Sequence, residues 1–226
     1  MEYFIFNSIK STDMNIVIKN LPPITRASQR INTIQLEGRS GTLHEIEDKF
    51  DSYNIQLECI LMPEANINEI KSWLMGQANL ILSSNPNVMY IATVVNKIDF
   101  SRYFTFLREF PVELEIQPIA YGLEEKKIEI SAGIEDIYNI SGNYKTYPLI
   151  QVTGSGSITC NGRTMVIENN DDHIYIDCEL MNAYNRNENK NSNVNGLENP
   201  IFLNPGVNTI TTIGISVIIT YREAWL

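Results

Sequence analysis

Two carboxylates and one polar cluster are the residues best placed to do chemistry. Glu113 and Glu115, in FPVELEIQP, have the residue type of a general acid and its partner base. They stand two apart, and in a strand that spacing puts both on the same face. A glycosidase pair flanks its sugar from opposite sides, about 5 to 9.5 Å apart, so this pair is expected to be solvated charge. Asn169, Asn170, Asp171 and Asp172 precede His173, and their oxygens suit a hard cation. The run lacks the alternating ligand spacing of an EF-hand, and it falls where a hairpin needs turn formers such as Asn and Asp. His44, the other histidine, follows SGTL in a strand flanked by turns. Thr153 to Ser157, TGSGS, lies between strands rather than ahead of a helix, which makes it a β-bend and not a phosphate loop. There is no GxSxG elbow and no GxGxxG turn. The reading is a chain without catalytic, cofactor-binding or metal-binding residues, and not an enzyme.

Two further groups could carry a ligand. Tyr138, Tyr144, Tyr147 and Tyr184 flank turns made of Asn, Gly or Pro. Exposed aromatics on a β-sandwich can stack on carbohydrate, but nothing in the order of residues brings these four together. Cys59, Cys160 and Cys178 are odd in number, widely spaced and without a CxxC pair. They read as small buried hydrophobes rather than as disulfides or zinc ligands. Cys160 and Cys178 lie in strand-like runs that could face one another.

Size and charge narrow the class. At 226 residues the chain is long enough for one large or two small domains. Its 43% apolar and 19% charged content is that of an ordinary globular protein. No window approaches the ~20 apolar residues of a membrane span. The start, MEYFIFNSIKSTDM, lacks the basic and apolar stretches of a secretory signal, so synthesis and folding in a cytoplasm are expected. A formal charge of -10 argues against gripping nucleic-acid phosphates or an anionic membrane.

The elements that would position these residues are mostly strands. EYFIFNS and NIVIKNLPP open the chain, and INTIQLEGRSGTLHE reads as a strand pair turning at Gly38 and Gly41. In YNIQLECILMP, Ile55, Leu57, Cys59 and Leu61 share one face. One helix stands out near residues 66–76: Asn66 as N-cap, Glu69 reaching back to it, Ile67, Ile70, Trp73 and Leu74 on one side, Gly76 after the end. Trp73 reads as a core anchor. NLILSS, VMYIATVV, RYFTFLREF and VELEIQPIAY follow as strands, and the charged GLEEKK marks a boundary. Beyond it, Asn161-Gly162 is a hairpin signal, Ile174, Ile176 and Cys178 face one way, and Pro205-Gly206 makes a turn. Ile213, Ile215, Val217 and Ile219 are expected on one face, with Gly214 as a bulge.

Between these strands runs NAYNRNENKNSNVNGLENP, Asn182 to Pro200. It reads as a long polar connection, open to three roles: a ligand loop, a loop that docks on another protein, or unselected surface.

The order EGRSGTL, INEIKSWLMG, YPLIQVTGSGSITCNG, IYIDCELMNAY, a polar loop, NPIFLNPGVNTI and a terminal YREAWL resembles the distal tail proteins of long-tailed phages, a family also found in phage-tail-like bacteriocins. The resemblance spans almost the whole chain. It implies a mainly β fold: an N-terminal β-sandwich or barrel-like ring-forming domain with one helix over residues 1–125, then a C-terminal galectin-like antiparallel β-sandwich over residues 126–226. It also implies a hexameric ring at the virion tail tip that joins the tail tube protein to baseplate, tail-fibre or receptor-binding proteins. DNA would pass through the lumen without sequence-specific contact. Six chains of -10 would carry -60, and part of that charge on the lumen wall would keep DNA from sticking. A carbohydrate-binding two-domain β-protein is the alternative.

Overall fold

The computed structural model describes residues 2–23, 25–35, 37–38, 40–98, 101–102, 108–169, 171–186 and 188–226, with backbone only at 101, 102 and 108. The expected strand RYFTFLREF therefore lies partly outside the described residues, and Asn170 of the polar cluster lies wholly outside them. The protein is mainly β, and it divides into two compact units, residues 1–120 with the last residue, and Tyr121–Trp225.

The first unit contains β1 (Phe4–Phe6), β2 (Ile9–Lys10), β3 (Ile16–Asn20), β4 (Gln29–Ile34), β5 (Leu43–Phe50), β6 (Tyr53–Leu61), α1 (Ile67–Trp73), β7 (Gln77–Leu82), β8 (Asn85–Val94), β9 (Ser101–Arg102) and most of β10 (Arg108–Gly122). Its main sheet runs β2-β1-β7-β8-β10-β6-β3 and is antiparallel at each described pairing. Strict alternation builds it. Phe110, Val112, Leu114 and Ile116 of β10 are buried, as are Leu57, Cys59 and Leu61 of β6, while Ile55 is half-buried. The register pairs Phe110 with Cys59 and Val112 with Leu57, so one face of the sheet is apolar throughout.

Helix α1 covers that face. The Asn66 side chain accepts from the Asn68 N–H at 3.1 Å, and Asn66 Nδ2 donates to Glu69 Oε1 at 2.8 Å. Glu69 thus holds the cap through the asparagine's side chain. Ile70, Trp73 and Leu74 are buried. The Trp73 ring stacks on Phe4 at 5.4 Å, and its Nε1 donates to the Phe6 carbonyl at 2.8 Å. The indole therefore meets both its apolar and its polar requirement in the core.

The second unit contains β11 (Lys126–Ile130), β12 (Glu135–Ile140), β13 (Leu149–Cys160), β14 (Arg163–Ile167), β15 (Ile174–Asp177), β16 (Asn182–Asn185), β17 (Glu188–Asn189), β18 (Val194–Asn195), β19 (Gly206–Tyr221) and β20 (Ala224–Trp225). The long strands β13 and β19 pair from Leu149↔Thr220 to Cys160↔Ile210, with a register shift between Gly154 and Ser157. On one side of the shift they are flanked by β11, β15, β16 and β17; on the other by β12, β14 and β18. The two half-sheets share one core, which includes Ile150, Val152, Ile158, Met165, Ile176, Ile210, Val217 and Ile219. A strand that passes from one layer to the other through a bulge is an economical way to turn a sandwich corner.

The bend overturns one expectation. Ile215, Val217 and Ile219 are buried, but Ile213 is 64% exposed. Gly214 takes φ +74°, which reverses the alternation, so the inward positions before it are Ile210 and Thr212. Space is tight here: a Cβ on Gly156 would lie 1.9 Å from the Ile213 carbonyl oxygen. TGSGS is glycine-rich because two backbones touch.

Asn161 (φ +50°) and Gly162 (φ +75°) both occupy the left-handed region, as a two-residue hairpin of the primed type requires. The FLNPGVN segment is held from within. Asn208 is fully buried, and its Nδ2 donates to the carbonyls of Asn204 (2.8 Å) and Gly206 (3.0 Å). Its Oδ1 accepts from Asn204 N–H and from Asn161 Nδ2.

Candidate functional site

The residues singled out for chemistry do not converge. Glu113 is exposed, its backbone N–H held by Asn96 Oδ1, and Glu115 Oε1 accepts from Ser52 Oγ at 2.5 Å. His44 is exposed on β5, opposite Thr33. In the polar cluster, Asn169 is buried; its Oδ1 accepts the Asp171 N–H and its own N–H donates to Ser155 Oγ, which is a turn closed on itself. The Asp171 carboxylate meets Lys190 Nζ at 2.9 Å, and this ammonium holds its pKa below the ordinary carboxylate value. Among the described residues no group of three or more His, Cys, Asp or Glu could hold a metal ion.

The cysteines are free and buried. Burial pushes the thiols up to about 12 for Cys59, about 11 for Cys160 and about 12 for Cys178. Of the four tyrosines, Tyr138 donates to Asp136 Oδ2 and Tyr147 packs beside Phe202 at 6.1 Å. Tyr144 lies near Lys145. Tyr184 stacks on Tyr175, which meets His173 edge-on. The cross-strand pairing of IYID with NAYN makes that group, and the pairing was the missing signal.

The Asn182–Pro200 run is not an open loop. It folds into β16, β17, a short 3₁₀ turn at Asn191–Asn193, and β18. Val194 and Leu197 are buried and anchor it in the core. The asparagines bond the run to itself and its neighbours: Asn191 Oδ1 accepts from Ala183 N–H at 2.6 Å, and Asn193 Nδ2 donates to the Glu168 carbonyl at 2.8 Å. Asn187 lies outside the described residues. The polar composition of the run is therefore largely scaffolding, because a chain with few apolar anchors must satisfy its backbone through side chains.

What the first unit does expose is a surface suited to assembly. Strands β4 and β5 form a two-stranded sheet separate from the main one. Gly38 and Gly41, both at positive φ, lie in the connection, whose Leu36 and Arg39 lie outside the described residues. The register pairs Ile31 with Ile46, and Ile34 with Leu43. Alternation puts the first pair on one face and the second on the other. These four side chains are 51%, 63%, 41% and 51% exposed. An isolated two-stranded hairpin is marginal in water, and one with aliphatic pairs on both faces is a candidate for cover by another surface. Its base is fastened by Arg30 Nε to Asp51 Oδ1 at 2.5 Å, Gln29 Nε2 to the Glu47 carbonyl and the Asp51 N–H to the Ser28 carbonyl. By contrast, edge strand β3 carries a bulge between Ile18 and Asn20, with Lys19 reaching Glu109 at 3.6 Å. A bulge and an edge lysine both discourage strand addition.

No family model matches the sequence, and no curated protein matches it. Among solved structures, the chain is similar to the SPP1 Dit (gp 19.1) protein, described as a paradigm of hub adsorption apparatus in Gram-positive infecting phages. The likeness covers 100% of both chains with a TM-score of 0.77 and 14% sequence identity. At that identity the shared property is the fold. The mainly β fold expected from the order of the motifs is thus the fold found, and it is the fold of a phage hub protein.

Proposed function

We propose that this chain is a structural, non-enzymatic hub of a phage or phage-like tail tip. The observation that carries the reading is the full-length likeness, at a TM-score of 0.77, to a hub protein of an adsorption apparatus. Six copies close into a ring through the first unit, and the ring joins the tail tube to receptor-binding or baseplate proteins held by the second. A head-to-tail contact that closes on itself is the physical route to such a ring. The β4–β5 hairpin supports this assignment, because its two aliphatic faces suit insertion against a neighbouring subunit, while the guarded edge of β3 does not suit strand addition. Residues 1–125 and 126–226 are the ring-forming and outward-facing parts. A negative lumen wall, drawn from the chain's charge of -10, lets DNA pass without adhesion.

The test is mass and shape. Six chains of 25.8 kDa give about 155 kDa by light scattering, with a central hole in negative-stain images. A monomer at every concentration, together with no labelling of tail tips by an antibody to the chain, would overturn the proposal. The lumen reading fails separately if the wall of the assembled ring is neutral or basic.

A further inference from the structure

We infer that Asn195–Gly196 is a self-modifying site: the Asn195 side chain closes onto the Gly196 nitrogen and is converted to aspartate or isoaspartate. The chain holds two Asn-Gly pairs, Asn161–Gly162 and Asn195–Gly196. Glycine in second place leaves its backbone nitrogen open to an incoming side chain, because it has no Cβ. Sequence alone makes the two pairs equal candidates, and the fold separates them.

Asn195 ends the two-residue strand β18, which pairs only with β14 among the described residues. The Glu168 N–H donates to the Asn193 carbonyl at 2.8 Å, and the register sets Ile167 opposite Val194 and Val166 opposite Asn195. Hydrogen-bonded and non-hydrogen-bonded pairs alternate in an antiparallel ladder, so Val166 and Asn195 are the pair that exchanges its backbone bonds. The Asn195 carbonyl therefore points to β14. Across the trans peptide the Gly196 N–H points the opposite way, off the open edge. Asn195 is exposed, and among the described residues no hydrogen bond holds its amide or the Gly196 N–H. Hydroxide can reach that N–H, and the side chain is free to swing onto the nitrogen.

Asn161 is half-buried and held. Its Nδ2 donates to the Phe202 carbonyl and to Asn208 Oδ1, each at 2.8 Å, and Asn208 is itself fully buried. Swinging this amide onto Gly162 breaks both bonds.

The conversion needs only hydroxide and water. Hydroxide takes the Gly196 N–H proton, and the nitrogen's electron pair forms a bond to Asn195 Cγ. The Cγ–Nδ2 bond then breaks, and the nitrogen leaves as ammonia with a proton from water, which restores the hydroxide. Water opens the resulting succinimide at one of its two carbonyls. Breaking the new N–Cγ bond gives aspartate; breaking the original peptide bond gives isoaspartate, whose backbone is one atom longer. That extra atom falls between Val194 and Leu197, the buried residues that anchor the run. It also falls beside Gly196, where even a Cβ would lie 2.6 Å from the Thr164 carbonyl oxygen. Isoaspartate there loosens the anchor.

The experiment ages the whole chain in mildly alkaline buffer, folded and in urea, and maps its peptides by mass spectrometry. Isoaspartyl methyltransferase counts the isoaspartate. In the folded chain Asn195 should convert about tenfold or more faster than Asn161, a margin set by the two hydrogen bonds that Asn161 must break. In urea the two rates should converge. Asn195→Gln, a change at an exposed side chain whose closure needs a larger ring, should stop conversion at that position and the accompanying fall in the second unit's melting temperature. Equal conversion at Asn161 and Asn195 in the folded chain overturns the inference, as does an Asn195 that stays intact while the unfolded chain converts. Aged wild type that melts with aged Asn195→Gln overturns the loosened anchor. None of these outcomes bears on the ring, so the hub reading stands or falls separately.

Discussion

Changing Ile31 and Ile46 together to Asp tests whether the β4–β5 hairpin is the contact of the proposed ring. The two side chains face each other across the hairpin and are 51% and 63% exposed. Their exposed parts amount to about one whole isoleucine, whose burial contributes about 1.5–3 kcal/mol. Placing carboxylates there removes that contribution at each interface and adds the cost of charge against an apolar partner. Association should weaken by at least roughly tenfold to a hundredfold per interface. A ring closed through six such contacts should then fall apart over a narrow concentration range. Light scattering across a dilution series reads the mass, and thermal melting of the dilute chain checks the fold. The monomer's melting temperature should hardly move, since the side chains already face solvent. Assembly at the wild-type concentration, with an intact fold, would refute the argument that these residues are covered by a neighbour. A large fall in the monomer's own melting temperature would refute it differently, by showing that the pair serves its own chain's core.

Three more outcomes follow from the packing. Gly156→Ala should destabilise the second unit by more than about 2 kcal/mol, and calorimetry should show its melting about 10 °C lower, because the new methyl collides with the Ile213 carbonyl. Trp73→Phe keeps the stacked ring but removes the indole's hydrogen bond to the Phe6 carbonyl, a loss of about 0.5–1.5 kcal/mol in denaturant titration. The three thiols should resist iodoacetamide at pH 8 in the folded chain and react once it is unfolded. Their folded pKa values, about 11 to 12, lie above the ordinary ~8.5, so the stability they contribute is complete below that value. It should be lost as pH rises from there toward 12, which an alkaline titration followed by circular dichroism would read.

How much of this was legible in the sequence depends on what each element must satisfy. Strands buried on one face announced themselves: Ile55, Leu57, Cys59 and Leu61 alternate because the sheet's pleat requires it. The helix was legible from Asn66 and its apolar stripe. Ile213 was misplaced because parity counting assumes an unbroken strand, and the break is set by Gly154 and Gly156, some 60 residues earlier in the chain, pressing on Gly214. A local pattern cannot carry that contact. The Asn182–Pro200 run misled for a related reason. Its folding depends on scattered buried residues, Ala183, Val194, Leu197 and Pro200, and on hydrogen bonds to the Ala183 N–H and the Glu168 carbonyl, none of which leaves a periodic trace.

The same reasoning shows why the candidate assembly surface was visible as a hairpin and invisible as an interface. Ile31, Ile34, Leu43 and Ile46 are of the residue types most often found in cores. Pattern reports that a side chain is to be buried, without saying which chain buries it. In the second unit the equivalent positions on β13 and β19 meet apolar residues of their own chain. On β4 and β5 the two aliphatic pairs point to opposite sides of a separate two-stranded sheet, and among the described residues none covers them fully. A single globular core could take one of those faces at most. Two such faces on one thin arm are what a chain would carry if the missing layers came from its neighbours.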